Sequence, residues 1–142
     1  VLGDYPCRDF LVVKLDRYGD IVWQRALGGS GEDVAYSVAV MPDGGYIVAG
    51  CTESNDGDVS GNHGGADFWI VKLDRDGDIV WQKCFGEFYS DGANSLFIKS
   101  DREYIMVGWS WGRGYMLGSA YSRGLLGDLW IMELGWEDNS HK

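Results

Sequence analysis

Residues 9–24 read DFLVVKLDRYGDIVWQ and residues 67–82 read DFWIVKLDRDGDIVWQ, with thirteen of the sixteen positions identical at an offset of 67 − 9 = 58. A third, partial copy, DLWIMEL, opens at Asp128, 61 residues further on. Repetition at a fixed period means that one supersecondary unit has been copied, each copy burying its apolar face against the next. It constrains the fold far more than the function, because function resides in sites added to a scaffold.

Each unit divides into four short apolar stretches. In the complete copy these are Val34–Met41, Tyr46–Thr52, Asp67–Asp74 and Asp78–Phe85. Their length, their β-branched and aromatic content and their Gly/Asp punctuation predict strands. No segment carries a capped 3.6-residue periodicity over ten or more residues, so helix is not expected. Pro42-Asp43-Gly44-Gly45 and Asp74-Arg75-Asp76-Gly77 supply turn chemistry for antiparallel hairpins, the second with a bulge. Phe68-Trp69-Ile70-Val71 and Ile79-Val80-Trp81 are apolar on both faces, the pattern of strands covered from two sides. Ala35, Ser37 and Ala39 alternate small side chains, as crowded strands near an axis require.

These features predict an all-β chain of four-stranded antiparallel β-propeller blades packed face to face around an axis, with a two-sheet sandwich as the alternative. DFWIVKLDRDGDIVWQ, GGSGEDVAYS, PDGGYIVAG and SNDGDVSGNHGG resemble the repeats of bacterial, often secreted, β-propeller proteins, whose units run to about sixty residues, one per blade. The resemblance covers nearly the whole chain. It implies a scaffold without a defined activity, and an extracellular or cell-surface location.

The copies are out of phase with the chain. Residues 9–27 supply stretches three and four, residues 34–85 a complete unit, and residues 93–135 stretches one to three, giving 2 + 4 + 3 = 9 strands in a single repeat domain of 142 residues. Gly135-Trp136-Glu137-Asp138 replaces the final turn. A little over two blades cannot close a ring, and an open pair leaves apolar sheet faces uncovered. The ring is expected to close through a symmetric homo-oligomer, a dimer first, or else the chain is a fragment of a longer propeller. Two copies would hold about four and a half blades of strands, so a five-stranded blade or a displaced terminus is expected.

Composition narrows the partners. Asp and Glu outnumber Lys and Arg 22 to 12, for a net charge of −10, which disfavours a nucleic-acid role. No apolar run approaches the roughly 18 residues of a membrane helix. The 22 glycines suit a protein of many tight turns. Cys7, Cys51 and Cys84 are odd in number and widely spaced, which predicts buried free thiols in preference to a zinc site or a disulfide framework. The chain begins at Val1 without a signal peptide, as a processed product or a piece of a longer reading frame would.

Two loops could carry chemistry. Counting Asp56 as position 1 puts oxygen side chains at 1, 3 and 5 (Asp56, Asp58, Ser60), Gly61 at 6 and Asp67 at 12, with Asn62 between them. This is the spacing of a Ca²⁺ loop, although Asp in place of a bidentate Glu shortens the reach. The competing reading is a plain loop whose Asp, Asn and Ser side chains bond nearby backbone. The second candidate is Trp109, Trp111, Arg113 and Tyr115, with Tyr121 and Arg123 beyond. Interleaved aromatics and Arg could stack on a glycan or clamp a peptide, or the Trp residues could simply pack at an interface.

Catalysis has little in its favour. His63 and His141 are isolated, no G-x-S-x-G elbow is present, and Gly28-Gly29-Ser30-Gly31 is followed by acids that would repel a phosphate. The reading is therefore a non-enzymatic, self-assembling scaffold or interaction module. The alternatives are a lectin-like, carbohydrate-binding propeller using Ca²⁺ and a hydrolase with carboxylates near the axis.

Overall fold

In the computed structural model, which describes residues 8–86, 88–100, 103–110 and, as strand backbone, 128–135, the chain is all-β. The described strands are β1 (Phe10–Leu15), β2 (Ile21–Leu27), β3 (Asp33–Val40), β4 (Tyr46–Thr52), β5 (Asp67–Leu73), β6 (Ile79–Phe85), β7 (Asp91–Ile98), β8 (Glu103–Ser110) and β9 (Asp128–Gly135). They form three antiparallel sheets: β1-β2, β3-β4-β5-β6 and β7-β8-β9. The strand ends shift by one or two residues from the sequence expectation. Asp16, Asp74 and Asp78 belong to turns, and β7 starts two residues early because Asp91 pairs with Ser110.

The repeat is preserved down to its irregularities. The β1-β2 ladder pairs Phe10 with Leu27 and Lys14 with Trp23, and the β5-β6 ladder pairs Phe68 with Phe85 and Lys72 with Trp81. Both carry a bulge after that lysine, between Lys14 and Leu15 and between Lys72 and Leu73. The β3-β4 and β7-β8 ladders share a bulge too, between Ala35 and Ser37 and between Ala93 and Ser95.

The turns explain why copying the sequence copies the register. Asp74 Oδ1 accepts from the Asp76 amide at 2.9 Å and the Asp78 amide at 3.0 Å, while Gly77 sits at φ 84°, where a side chain would be strained. In the β3-β4 hairpin, Gly44 (φ 83°) donates to Met41 O at 2.9 Å, and Asp43 Oδ1 accepts from the Gly45 amide at 2.8 Å. An aspartate binding its own turn followed by a left-handed glycine closes both loops.

The sheets stack in chain order, and the central one is covered on both faces. Side chains alternate along its inner strands. Ile47, Ala49, Phe68 and Ile70 face the C-terminal sheet and pack with Ala93, Tyr104 and Met106. Val48, Trp69, Val71 and Leu73 face the N-terminal sheet and pack with Phe10 and Leu27. The expectation of double burial therefore holds for Phe68 to Val71. It fails for β6, where Val80 remains 55% exposed, because β6 is the outermost strand and its neighbours cover it only in part.

Candidate functional site

The loop after β4 folds back over the junction between the N-terminal and central sheets. Val59 is buried in the cluster of Phe10 and Leu27 and anchors the loop there. Around that anchor, four consecutive amides of the Gly28–Gly31 turn find acceptors. Gly28 N donates to Asp58 Oδ2 (3.3 Å), Gly29 N to Asp33 Oδ2 (2.9 Å), Ser30 N to Asp56 Oδ1 (2.7 Å) and Gly31 N to Ser54 Oγ (2.8 Å). A glycine-rich run of amides is a ready anion nest, and here the chain's own carboxylates occupy it. The Ser30 amide and hydroxyl hold the exposed Asp56 carboxyl below the usual aspartate value.

Asp33 is the buried centre of this junction. Its oxygens accept from the Thr52 hydroxyl, from Ser54 Oγ at 2.8 Å and from the Gly29 amide. Sequence reading missed it, because Glu32-Asp33 looks like any acidic pair. The signal available was the repeat, which places Asp91 at the same position of the next unit, also buried.

The five oxygens expected to ring a cation are directed to separate partners. Asp56 and Asp58 bind the Gly28–Ser30 amides, and Ser60 accepts from Gln82. Asn62 Oδ1 accepts from the Gly64 amide at 2.7 Å, while its Nδ2 donates to Thr52 O at 3.1 Å and to Gly65 O at 3.3 Å. Asp67 lies buried at the start of β5, where its Oδ2 accepts from the His63 amide at 3.0 Å and lies 2.7 Å from His63 Nδ1. Among the described residues no group of three or more His, Cys, Asp or Glu side chains could hold a metal ion. These bonds are those of a loop that holds its own and neighbouring backbone.

Burial pushes the Asp67 carboxyl above the ordinary aspartate value, against the lowering pull of His63. Its Oδ1 has no hydrogen-bond partner among the described residues. His63 is thus tied to a carboxylate at its Nδ1, although a loop histidine would be expected to be merely solvated. Cys51 is a buried free thiol, as expected, whereas Cys84 is free but only half-buried. Desolvation, with the Asp67 and Asp33 charges adding to it, pushes Cys84 up to about 12, so this thiol stays protonated at neutral pH and is a poor nucleophile. Cys7 and His141 lie outside the described residues.

Of the aromatic candidates, Trp109 is the penultimate residue of β8 and half-buried. Its indole lies so close to Gly92 that a methyl group there would meet the ring at 2.9 Å. Trp109 is thus in packing contact with the start of β7. Trp111, Arg113, Tyr115, Tyr121 and Arg123 lie outside the described residues.

An open groove of about 530 Å³ lies between β1 and the near face of β3 and β4. Leu11, Val13, Tyr36, Val38 and Val40 line it and are all exposed, with Trp23 at one wall and Tyr46 and Val48 at its floor. It exists because the N-terminal sheet has two strands and cannot span the four-stranded sheet behind it. The groove combines exposed apolar side chains with the unpaired edge of β1. Lys14 is the one charged residue among those lining it.

Comparison with protein-family models finds no match, and comparison with curated proteins finds none either.

Proposed function

We propose that the protein is a non-enzymatic β-propeller module that assembles with copies of itself and serves as a structural or interaction scaffold. Each sheet is then a blade, the central one complete and the outer two partial. One observation carries this reading. The apolar face of the first sheet is open to solvent, whereas the equivalent positions, one repeat later, are buried against a neighbouring sheet. Leu11, Val13 and Leu15 are 65, 41 and 54% exposed, and their counterparts Trp69, Val71 and Leu73 are all 0% exposed. A face shaped to receive a blade and lacking one is a binding surface for a blade.

The test is molar mass in solution by light scattering across a concentration series. The reading expects a mass at a multiple of 15.8 kDa with a β-rich circular dichroism spectrum. A folded species that stays at the single-chain mass at every concentration rejects it.

A further inference from the structure

We infer that the groove between β1 and β3-β4 is the seat of the β7-β8 hairpin of a second copy, and that β9 holds that hairpin's edge until the second copy displaces it. The inference rests on the self-assembly reading above and specifies its interface.

The chain already contains the contact once. Val38, Val40, Tyr46 and Val48 form the groove side of the central sheet, and their counterparts 58 residues on are Leu96, Ile98, Tyr104 and Met106. In the C-terminal sheet that second set is packed, and what packs on it includes Ile47 and Ala49 of the β3-β4 hairpin. The repeat equivalents of Ile47 and Ala49 are Ile105 and Val107 of β8. Both lie on the outward face of the C-terminal sheet and are only half-buried. The groove therefore fits Ile105 and Val107 of a second copy in the way that Tyr104 and Met106 already fit Ile47 and Ala49.

The strand edge gives the same answer. β5 is hydrogen-bonded on both sides, to β4 and β6, whereas β1 pairs only with β2. The register of β4 on β5, Ile47 with Lys72, Ala49 with Ile70 and Cys51 with Phe68, translates into Ile105 with Lys14, Val107 with Val12 and Trp109 with Phe10. A composite sheet β7-β8-β1-β2 then reproduces β3-β4-β5-β6. It also lays Leu11, Val13 and Leu15 over Phe68, Ile70 and Trp81 of the copy that donates the hairpin.

The edge of β8 that β1 would take is occupied by β9 within one chain, from Glu103 with Gly135 to Ser110 with Asp128. Simple addition of β1 beyond β9 does not work in a ring. Both are third-position strands, so copies related by rotation about one axis present them in parallel, and the sheets here are antiparallel. Exchange exchanges one ladder for another and adds the burial of the groove, so the apolar contact drives it. Each chain then contributes two complete blades, and two copies close a ring of four, within the known range of about four to eight.

The test mixes two full-length variants, Val12→Cys and Val107→Cys, under a short thiol–thiol cross-linker, and maps the joined peptides by mass spectrometry. A species of two chains linked between positions 12 and 107 is expected. An assembly of the right mass with no 12–107 link overturns this interface and leaves self-assembly standing, whereas a chain that never associates overturns both. Ile105→Arg, on an outward face, should keep the circular dichroism and melting temperature of a single chain while weakening association by more than about tenfold. Unchanged association would reject the seat. Truncation after Gly127, which removes β9, should strengthen association, and an assembly that dissolves on losing β9 would show that the strand is part of it and not a placeholder.

Discussion

The β1-β2 and β5-β6 hairpins are almost the same sequence in two environments. Both have the same register, the same bulge, the same Asp-bound turn and a phenylalanine with 0% exposure at the start (Phe10 and Phe68). They differ in what lies beside them. β5 has a strand on each edge and a sheet on each face, while β1 has one of each. Backbone form is therefore local to the repeat, and burial is a property of its neighbours.

Paired substitutions test this contrast most strongly. Trp69→Ala should cost about 3–5 kcal/mol by urea unfolding, since its ring fills the junction against Phe10 at 4.4 Å between centroids and its Nε1 donates to Gln82. Leu11→Ala, at the equivalent position, should cost less than about 0.5 kcal/mol in dilute protein. Equal losses would break the comparison, and a Leu11 effect that grows with protein concentration would sharpen it. Phe10→Ala should behave like a core change, about 3–5 kcal/mol, and strip exchange protection from β1 and β2 while leaving β5 and β6 protected.

The junction comes next in size. Asp33→Ala removes the acceptor of Thr52, Ser54 and Gly29 and should cost about 1–3 kcal/mol, read as a lower melting temperature with the sheet content unchanged. A neutral outcome would mean that the turn is held by Asp56 and Asp58 alone. Hydrogen exchange should then resolve the two hairpins in one protein, with the β1 amides that point away from β2 exchanging well ahead of those of β5.

The smallest effect distinguishes the hairpins by charge. Lys72 donates to Asp43 at 2.8 Å, whereas Lys14 has no carboxylate partner among the described residues and lies 3.4 Å from Arg75 O and 5.7 Å from the Tyr46 ring centroid. The Lys72 bond, then the Gly45 amide, hold the Asp43 carboxyl below its ordinary value. A lowered native pKa contributes stability above the unfolded value, lost as pH falls through the folded one. Asp43→Asn should therefore lower stability slightly at neutral pH, with the difference vanishing in acid, so that the acid limb of the stability–pH curve flattens. Asp43 is largely solvated, so a large change there would contradict the surface-pair reading.

How much of this was legible depends on the range of the interaction. The β3 to β6 hairpins and their turns followed from Gly, Asp and alternation, because a turn residue bonds atoms two to four positions away. The fate of Val80 did not, since an apolar outer strand and an apolar inner strand read alike. The loop from Asp56 to Asp67 shows the same limit at a site. Its spacing matched a cation loop, but its first two carboxylates, Asp56 and Asp58, turn to Ser30 and Gly28, some thirty residues back in the chain, which no local pattern records. The buried Asp33 was visible only as a position recurring at Asp91.

The sequence by itself determined the strands, their pairing into hairpins and the turns that close them, because each of these is set by residues close together within a 58-residue unit. Tertiary structure alone decided which copies of an identical apolar face are core and which are surface. Leu15 and Leu73 carry the same side chain at the same step of the same hairpin, and only the sheet stacked on Leu73 removes it from water.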